Sequence, residues 1–209
     1  MDRKMGMAAS GITALLVILF AVSMGIGWSA LSYGSCLVLG WAYVLVTCAF
    51  AAFAPVGRKA LALGGVAIAV LYALLTGLVY FTQLTTVAYG AADGVVLQML
   101  TYQPGSWAFG VDLFGYGVMG LSTFLIGLSL VPRTRADKVM RVLLLVHGVF
   151  FPVCVVLPMC NVFQGSAGAH AGEIALFCWC VYFVPVMLLA YVYFRRQNDR
   201  TAFSHTGQG

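Results

Sequence analysis

The chain has 209 residues, of which 62% are hydrophobic and 8% are charged, and its mean hydropathy is +0.99. Because a soluble domain carries about 25% charged residues, this composition excludes a water-soluble globular protein and predicts a chain solvated mainly by lipid. The formal net charge is +5, but the basic residues gather at the chain ends and in two short turns. No basic stripe is interleaved with aromatic residues, so we expect no nucleic-acid partner.

Several apolar segments are long enough to cross a bilayer, since each is near or above about 18 residues. The six segments are residues 7–26, 35–54, 60–87, 107–131, 142–161 and 172–194. The sequence therefore predicts an all-α, polytopic integral membrane protein, a bundle of six transmembrane helices. We expect a single transmembrane domain over residues 1–196, followed by a short polar cytoplasmic tail over residues 197–209.

The first segment follows a basic start, which is also a feature of a secretory signal peptide. Its apolar run is longer than the roughly 7–15 residues of a signal-peptide core. The residues after it, 27–30, form a poor small-residue cleavage site. We therefore expect this segment to be retained as the first span.

The Lys and Arg residues predict the orientation. When the six spans are threaded from the N-terminus, all 11 Lys and Arg residues fall on one side of the membrane. Because cytoplasmic loops hold the excess of Lys and Arg, both termini are predicted to be cytoplasmic. The expected location is the plasma membrane, and anionic lipid headgroups at the cytoplasmic face are the expected partners of these cations.

The third span carries a polar stripe, and a long connection follows it. The stripe consists of Tyr72, Thr76, Tyr80, Gln83 and Thr86. We expect it to face inward, because an amide is costly to leave in lipid. In the connection over residues 88–106, Asp93 is a predicted cap for a short helix over residues 94–101. That helix is too short to span, so it either rests on the membrane as a connector or covers the bundle as a lid.

The fourth span contains one charged residue, Asp112. On a helix, Asp112 shares a face with small or polar residues, namely Gly115, Tyr116, Met119, Gly120, Thr123 and Gly127. The opposite, lipid-facing side is predicted to consist of Phe114, Val118, Leu121, Phe124, Leu125 and Leu128. An ionisable group in hydrocarbon costs about 2.5–3.5 kcal/mol. Asp112 is therefore predicted to face the interior and to mark a site.

The fifth and sixth spans contain prolines, and the fifth contains His147. Pro152, Pro158 and Pro185 each remove a backbone donor and are predicted to kink their helices. With Asp112, the imidazole of His147 suggests a proton relay or an acid–base pair. The favoured alternative is a histidine satisfied by a carbonyl freed at a proline kink. By residue count, Asp112 lies near the outer boundary of the membrane and His147 nearer the inner one, so we do not expect the two side chains to be in direct contact.

The sequence predicts a ligand-binding pocket open to the outside. Its predicted residues are Gln83, Asp112, Tyr116, Asn161 and Glu173, with His147 deeper in the membrane. In the alternative, Asp112 bonds only to Tyr or Gln partners and locks the helix packing.

No metal, haem or other cofactor is expected. His147 is the only histidine inside a predicted span, and the chain has neither a His-Glu-x-x-His motif nor a paired cysteine motif. The cysteines are expected to act as small apolar residues. Cys36 and Cys160 both lie near the predicted outer surface, so a disulfide between them is an alternative if that compartment is oxidising.

Three classes of function follow. The leading one is binding or transport of a small molecule or ion through the pocket centred on Asp112. The second is a structural or regulatory bundle that acts through helix contacts, a homo-oligomer included, with Gly110, Gly117 and Phe124 as a candidate contact face. The third is an intramembrane enzyme using Asp112 and His147, which must reach a common substrate position. No catalytic residue is assigned, because a non-enzymatic role is favoured.

Overall fold

The fold is given by a computed structural model that describes residues 1–160, 162 and 165–197, with the backbone alone at 165–171 and 173. Its helices are α1 (Asp2–Gly25), α2 (Ser29–Phe53), α3 (Lys59–Thr82), α4 (Gly94–Leu100), α5 (Trp107–Ser129), α6 (Arg135–His147), α7 (Phe150–Met159) and α8 (Gly165–Arg196). A short 3-10 helix, Val56–Arg58, precedes α3, and a π-helical turn, Gln83–Val87, continues it. No strand occurs in the described ranges, which confirms the predicted all-α class.

Six helical stretches are long and apolar enough to cross a membrane, as predicted. They are α1, α2, Val56–Val87, α5, Arg135–Met159 and Ile174–Arg196, of which Arg135–Met159 joins α6 to α7. The first two helices begin earlier than the sequence predicts, at Asp2 and Ser29. Hydropathy marks the apolar middle of a span, whereas backbone hydrogen bonds continue the helix beyond it.

The spans form a closed ring in chain order. α1 packs on α2, α2 on α3, and α3 on α5, while α5 contacts both α6 and α7. α6 packs on α8, and α8 returns to α1. Apart from the long connection between α3 and α5, the spans that follow each other are joined by short connections, which make them antiparallel neighbours, so the order in space follows the order in sequence.

Large aromatic side chains fill the middle of this ring. Tyr43, Tyr72 and Phe183 are among the largest fully buried side chains, and Trp179 is 2% exposed. Tyr43 meets Tyr72 edge-on with 5.6 Å between ring centroids, and Trp179 stacks on Phe183 at 5.1 Å. Aliphatic and aromatic side chains cover the outside, including Leu15, Leu63, Leu71, Leu74, Phe81, Val181 and Leu188. The bundle therefore presents apolar side chains to lipid and an aromatic layer to its own interior.

α5 is enclosed on two sides because of its glycines. A Cβ at Gly115 would lie 2.7 Å from Thr76 on α3, and one at Gly120 would lie 2.9 Å from the carbonyl oxygen of His147. The predicted inward face of α5 is buried throughout. Val118, assigned to the lipid side, is buried as well, with 6% of its surface exposed. That assignment was wrong because neighbours on both sides make the buried arc wider than the small-residue face.

A break separates α6 from α7, one turn before Pro152. α6 ends at His147 and α7 begins at Phe150. The proline removes an N–H and crowds the carbonyl four residues earlier, which belongs to Gly148. That carbonyl accepts a hydrogen bond from the Phe151 N–H at 3.1 Å instead. The predicted disruption at Pro152 is thus confirmed, whereas α8 continues through Pro185 without a break.

Several cations at one end of the bundle bind free carbonyls at helix C-termini. Arg58 donates to the carbonyl of Leu128, in the last turn of α5, at 3.1 Å and to that of Leu130, just after it, at 2.9 Å. Lys59 donates to the carbonyl of Ala51 at 2.5 Å, in the last turn of α2. Carbonyls at a helix C-terminus lack the regular N–H partner four residues later, so the cations help to satisfy them and are also stabilised by the negative end of the helix dipole.

The chain ends and the basic turns share that end of the bundle. A cavity of about 290 Å³ is lined by Arg3, Pro55, Arg133 and Gln197, which come from the start of the chain, both basic turns and the beginning of the tail. The grouping agrees with the predicted topology. That this end is the cytoplasmic one remains a prediction from the positive charge.

Candidate functional site

Asp112 is enclosed by protein near the opposite end of the bundle. It lies in the second turn of α5, whose first turn is capped by Ser106 accepting from the Phe109 N–H at 3.1 Å. Only 1% of Asp112 is exposed. Its Oδ2 accepts a hydrogen bond from the Tyr102 hydroxyl at 2.9 Å. Its Oδ1 is buried without a hydrogen-bond partner among the described residues.

Gln83 places Tyr102 over this carboxyl group. The Gln83 Nε2 donates to the Leu100 carbonyl at 2.7 Å, and its Oε1 accepts from the Tyr102 N–H at 2.9 Å. Both polar ends of the amide are therefore bound to backbone just after α4. Gln83 faces inward as predicted, but it anchors the long connection and does not line the cavity beside Asp112.

The cover over Asp112 is the segment that follows α4, and α4 itself lies outside. No residue of α4 is buried. Asp93 stands at its N-cap as predicted but makes no capping hydrogen bond with its side chain. Gly94 has φ +53°, so the chain turns into α4 through a left-handed glycine conformation that other residues rarely adopt.

The Tyr102 hydroxyl remains a donor over a wide pH range. Burial, followed by the charge of Asp112 and the hydrogen bond to it, raises the pKa of Tyr102 well above its usual value. Deprotonation would place two negative oxygens side by side in a buried site. The contact between Tyr102 and Asp112 is therefore a neutral hydroxyl donating to a carboxyl oxygen.

A cluster of polar aromatic residues surrounds Asp112 on its own side of the ring. The Tyr80 hydroxyl lies beside the Asp112 carboxyl group and 3.3 Å from the Tyr116 hydroxyl. The Cys36 Sγ is 3.7 Å from that Tyr116 hydroxyl, and the ring of Tyr33 stacks on Tyr80 at 5.8 Å. α2, α3 and α5 thus contribute side chains to one layer. The polar stripe of the third span pointed to Tyr80, but nothing in the sequence pointed to Tyr102.

A cavity of about 240 Å³ lies next to Asp112 and Tyr116. Its walls are almost entirely carbon and come from the segment before α5, from α5, α7 and α8, and from the turn after α7. The lining residues are Tyr102, Phe109, Asp112, Leu113, Tyr116, Phe150, Val153, Cys154, Leu157, Val162, Gly172, Ala175, Leu176 and Trp179. Among the described residues of this wall, Asp112 has the only carboxyl group, so the described part of the cavity combines an apolar body with one acidic side chain.

A second cavity, of about 250 Å³, lies on the other side of Tyr102 and Phe109. Ser23, Ser32 and Tyr33 are among the residues that line it, so it is more polar than the first. The rings of Tyr102 and Phe109 meet edge to face at 5.7 Å and border both cavities. This aromatic pair forms part of the partition between the two spaces, which Gly172 and Leu176 also border.

His147 is fully hydrogen-bonded inside the bundle. The Trp179 Nε1–H donates to the His147 Nε2 at 2.9 Å. A neutral imidazole must then carry its proton on Nδ1, which donates to the Thr123 hydroxyl at 2.7 Å. The Thr123 hydroxyl donates in turn to the Gly120 carbonyl at 2.8 Å. The satisfied histidine is confirmed, although its partners are a tryptophan and a threonine and not a carbonyl freed at a proline.

Asp112 and His147 belong to separate networks. Thr123, which binds His147, lies eleven residues after Asp112 on α5. That spacing corresponds to about 16 Å along the helix axis. The two side chains share no hydrogen-bond partner in the described part of the chain. The structure therefore does not bring them together as an acid–base pair.

Only some of the predicted site residues can be placed at the cavity. Asp112 and Tyr116 line one cavity, whereas His147 does not. Asn161 and the side chain of Glu173 lie outside the described residues. Neighbouring positions of these two in the sequence, Val162 and Gly172, line the cavity.

The described part of the chain contains neither a metal-ligating cluster nor a disulfide. No group of three His, Cys, Asp or Glu side chains suited to a metal ion occurs among the described residues. Cys36 is a buried free thiol and Cys160 an exposed one, so the disulfide that the sequence left open does not form. Cys36 packs against Tyr116 in the interior instead of lying at the outer surface.

Comparison with known proteins finds no matching family, no similar curated protein and no similar solved structure. Function is therefore argued from the chemistry of the site.

Proposed function

We propose that this membrane protein binds a small molecule in the cavity beside Asp112. The observation that carries the proposal is the Asp112 Oδ1, a buried oxygen without a partner among the described residues, on the wall of a cavity of about 240 Å³. Leaving such an acceptor unpaired costs about 1–3 kcal/mol or more. A ligand that donates a hydrogen bond to it would recover that cost.

Access is proposed from the second cavity. Tyr102 and Phe109 border both spaces, as do Gly172 and Leu176, and Tyr102 belongs to a surface connection. Rotation of Tyr102 away from Asp112 would join them. In the topology that the basic residues support, this end faces outward, the basic end contacts anionic headgroups, and the membrane is the plasma membrane.

Binding is supported more directly than transport. Towards the basic end, the interior is closed by fully buried side chains such as Met119, Phe183 and Met187. The satisfied network of His147 lies in the same region. Transport would require this packed layer to open, whereas binding requires only that Tyr102 move.

The competing classes receive less support. An enzyme using Asp112 and His147 has no common position at which both side chains meet. The proposed external contact face is wrong at Gly117, where a Cβ would lie 3.1 Å from Cys154 of α7. α7 therefore covers a position that a structural bundle would need to keep on its outside.

The proposal is tested by filling the cavity with a larger side chain and measuring whether a probe ligand still stabilises the protein. The purified protein in phosphatidylcholine nanodiscs would be titrated with 2-phenylethanol, a compact apolar probe with one hydroxyl, and its melting temperature followed. Wild type should be stabilised, and Leu113→Trp, which places a larger ring in the cavity, should lose most of that effect. Leu121→Trp is the control, because Leu121 lies on the same helix outside both cavities. Equal stabilisation of wild type and both variants would contradict the proposal.

A further inference from the structure

We propose that the ligand of this cavity is a protonated organic amine, an N–H-bearing ammonium group on a compact apolar body. The inference rests on the proposed function, since it names the class of ligand for the same cavity. It follows from the charge around Asp112, from the walls of the cavity and from the kind of partner that a lone carboxyl oxygen requires.

Asp112 has no cation of its own. Among the described residues, the only ion pair joins Arg196 to Asp137 at 3.9 Å, at the basic end of the bundle. Every Lys and Arg of the chain lies at that end or in the tail. A buried carboxylate without a counter-charge is strongly disfavoured, and the neighbouring hydroxyls of Tyr102 and Tyr80 offset this only in part. A cationic ligand would supply the charge that the fold does not.

The walls suit an ammonium group as well as an apolar body. Rings of Phe109, Tyr116, Phe150 and Trp179 line the cavity. Tyr116 and Trp179 meet nearly at right angles with 5.0 Å between centroids, so the walls present ring faces in different directions. The negative face of an aromatic ring attracts a cation within about 6 Å of its centre.

The described walls do not suit a bare metal ion. Calcium takes six to eight oxygen ligands and magnesium requires an octahedral set. Among the described residues, the oxygen-bearing side chains that line this cavity are Asp112, Tyr102 and Tyr116. Because the Asp112 Oδ1 lacks a donor, an amine with an N–H fits better than a quaternary ammonium ion, which cannot donate. The volume of about 240 Å³ lies below the usual range for drug-sized ligands, so a single ring with a short chain is the expected size.

The experiment compares two probes of nearly equal shape, 2-phenylethylamine and 2-phenylethanol, at pH 7, where the amine is protonated. Their dissociation constants would be measured by calorimetry in nanodiscs of phosphatidylcholine, which has no net charge to attract the amine. The proteins are wild type, Asp112→Asn and Asp93→Asn. Asp93 is the matched control, an exposed acid near the same end that lines neither cavity.

We expect wild type to bind the amine at least about tenfold more tightly than the alcohol, as one charge-assisted hydrogen bond predicts. Asp112→Asn should abolish this preference by weakening amine binding at least about tenfold more than alcohol binding, while Asp93→Asn should match wild type. A third probe, the trimethylated quaternary analogue of the amine, should bind wild type more weakly than the amine. That comparison needs no variant, so it holds even if Asp112→Asn fails to fold.

Two results would overturn the amine proposal and leave the cavity standing. They are equal affinities of wild type for amine and alcohol, and an equal loss of both probes in Asp112→Asn. Binding of neither probe to wild type would overturn the cavity as a binding site, and the amine proposal with it. The two failures are therefore distinguishable.

Discussion

The amide of Gln83 accepts a hydrogen bond from the Tyr102 N–H at 2.9 Å, and this contact fixes where the Tyr102 hydroxyl meets Asp112. A residue at the end of one span thus positions the cover of a carboxyl group on another. No residue of the intervening α4 is buried, and the two hydrogen bonds of Gln83 attach this connection to the end of the third span.

Replacing Gln83 with Ala should release the connection. The variant loses two hydrogen bonds to the Leu100 and Tyr102 backbone, a destabilisation of about 1–3 kcal/mol. Amide exchange at residues 100–102 should become faster in hydrogen-exchange mass spectrometry. Thr82→Ala is the control, because the Thr82 hydroxyl bonds only within its own helix. If exchange in this segment stayed at the wild-type rate, Gln83 would not be its anchor.

Replacing Tyr102 with Phe should give a pH-dependent loss of stability. Because the folded state raises the pKa of Tyr102, the stability from its protonated hydroxyl is fully present below the unfolded pKa of about 10 and declines above it. Below that pH, the variant should be less stable by about 1–3 kcal/mol, since Asp112 loses its donor. Above it, the difference from wild type should shrink by at most about 1.4 kcal/mol per pH unit. Melting both proteins between pH 7 and 11 checks this, and a constant difference would contradict the assignment.

Thr123→Val should destabilise the bundle without affecting the cavity. The substitution keeps the shape but leaves the His147 Nδ1–H without its acceptor, at a cost of about 1–3 kcal/mol. Thr47→Val is a matched control, since Thr47 is equally buried but bonds only to a carbonyl of its own helix. Thermal unfolding and 2-phenylethanol titration should show lower stability with unchanged affinity. A change in probe affinity would mean that the histidine network reaches the ligand.

Gly120→Ala should force α5 away from the α6–α7 break. The added Cβ would lie 2.9 Å from the His147 carbonyl oxygen and 3.1 Å from the Phe150 Cβ, and overpacking of this kind costs about 1–3 kcal/mol. Gly110→Ala on the same helix meets no atom within 4 Å and should be neutral or stabilising by about 0.5–1 kcal/mol. Comparing the two melting temperatures separates close packing from helix propensity. Equal shifts in the same direction would rule out a close-packing role for Gly120.

The orientation can be tested with reporters fused to the C-terminus in a bacterial host. Green fluorescent protein should fluoresce there and alkaline phosphatase should remain inactive, because the basic turns and the tail are predicted to be cytoplasmic. The opposite pattern would place the basic end outside. It would also reverse the proposed side of access to the cavity.

The number of spans was predictable because a helix that crosses lipid requires a long apolar run. Averaging hydropathy over about 20 residues detects each such run. The inward position of Asp112 was predictable for a related reason, since exposing a carboxyl group to hydrocarbon is costly. The partner of Asp112 was not. Tyr102 lies in a connection whose path depends on Gln83, about 20 positions earlier, and no local pattern encodes such a contact.

The partners of His147 and the full buried surface of α5 also depend on the packing of the whole ring. Trp179 reaches His147 because α8 closes against α6 at that level. Helical periodicity predicts which face of a helix is buried, but it does not predict the height along α6 and α8 at which Trp179 meets His147. Val118 illustrates the same limit, because its burial depends on a second neighbour of α5 that one helical face does not reveal.

Arg58 and Lys59 connect the predicted orientation of the protein in the membrane with the stability of two helix ends. The charges that are predicted to direct insertion also tie the ends of α2 and α5 to the turn between α2 and α3. Inverting the protein by moving these charges would therefore loosen two helix termini at once. Selection for correct insertion and selection for a stable bundle act on the same side chains, so neither can vary there independently.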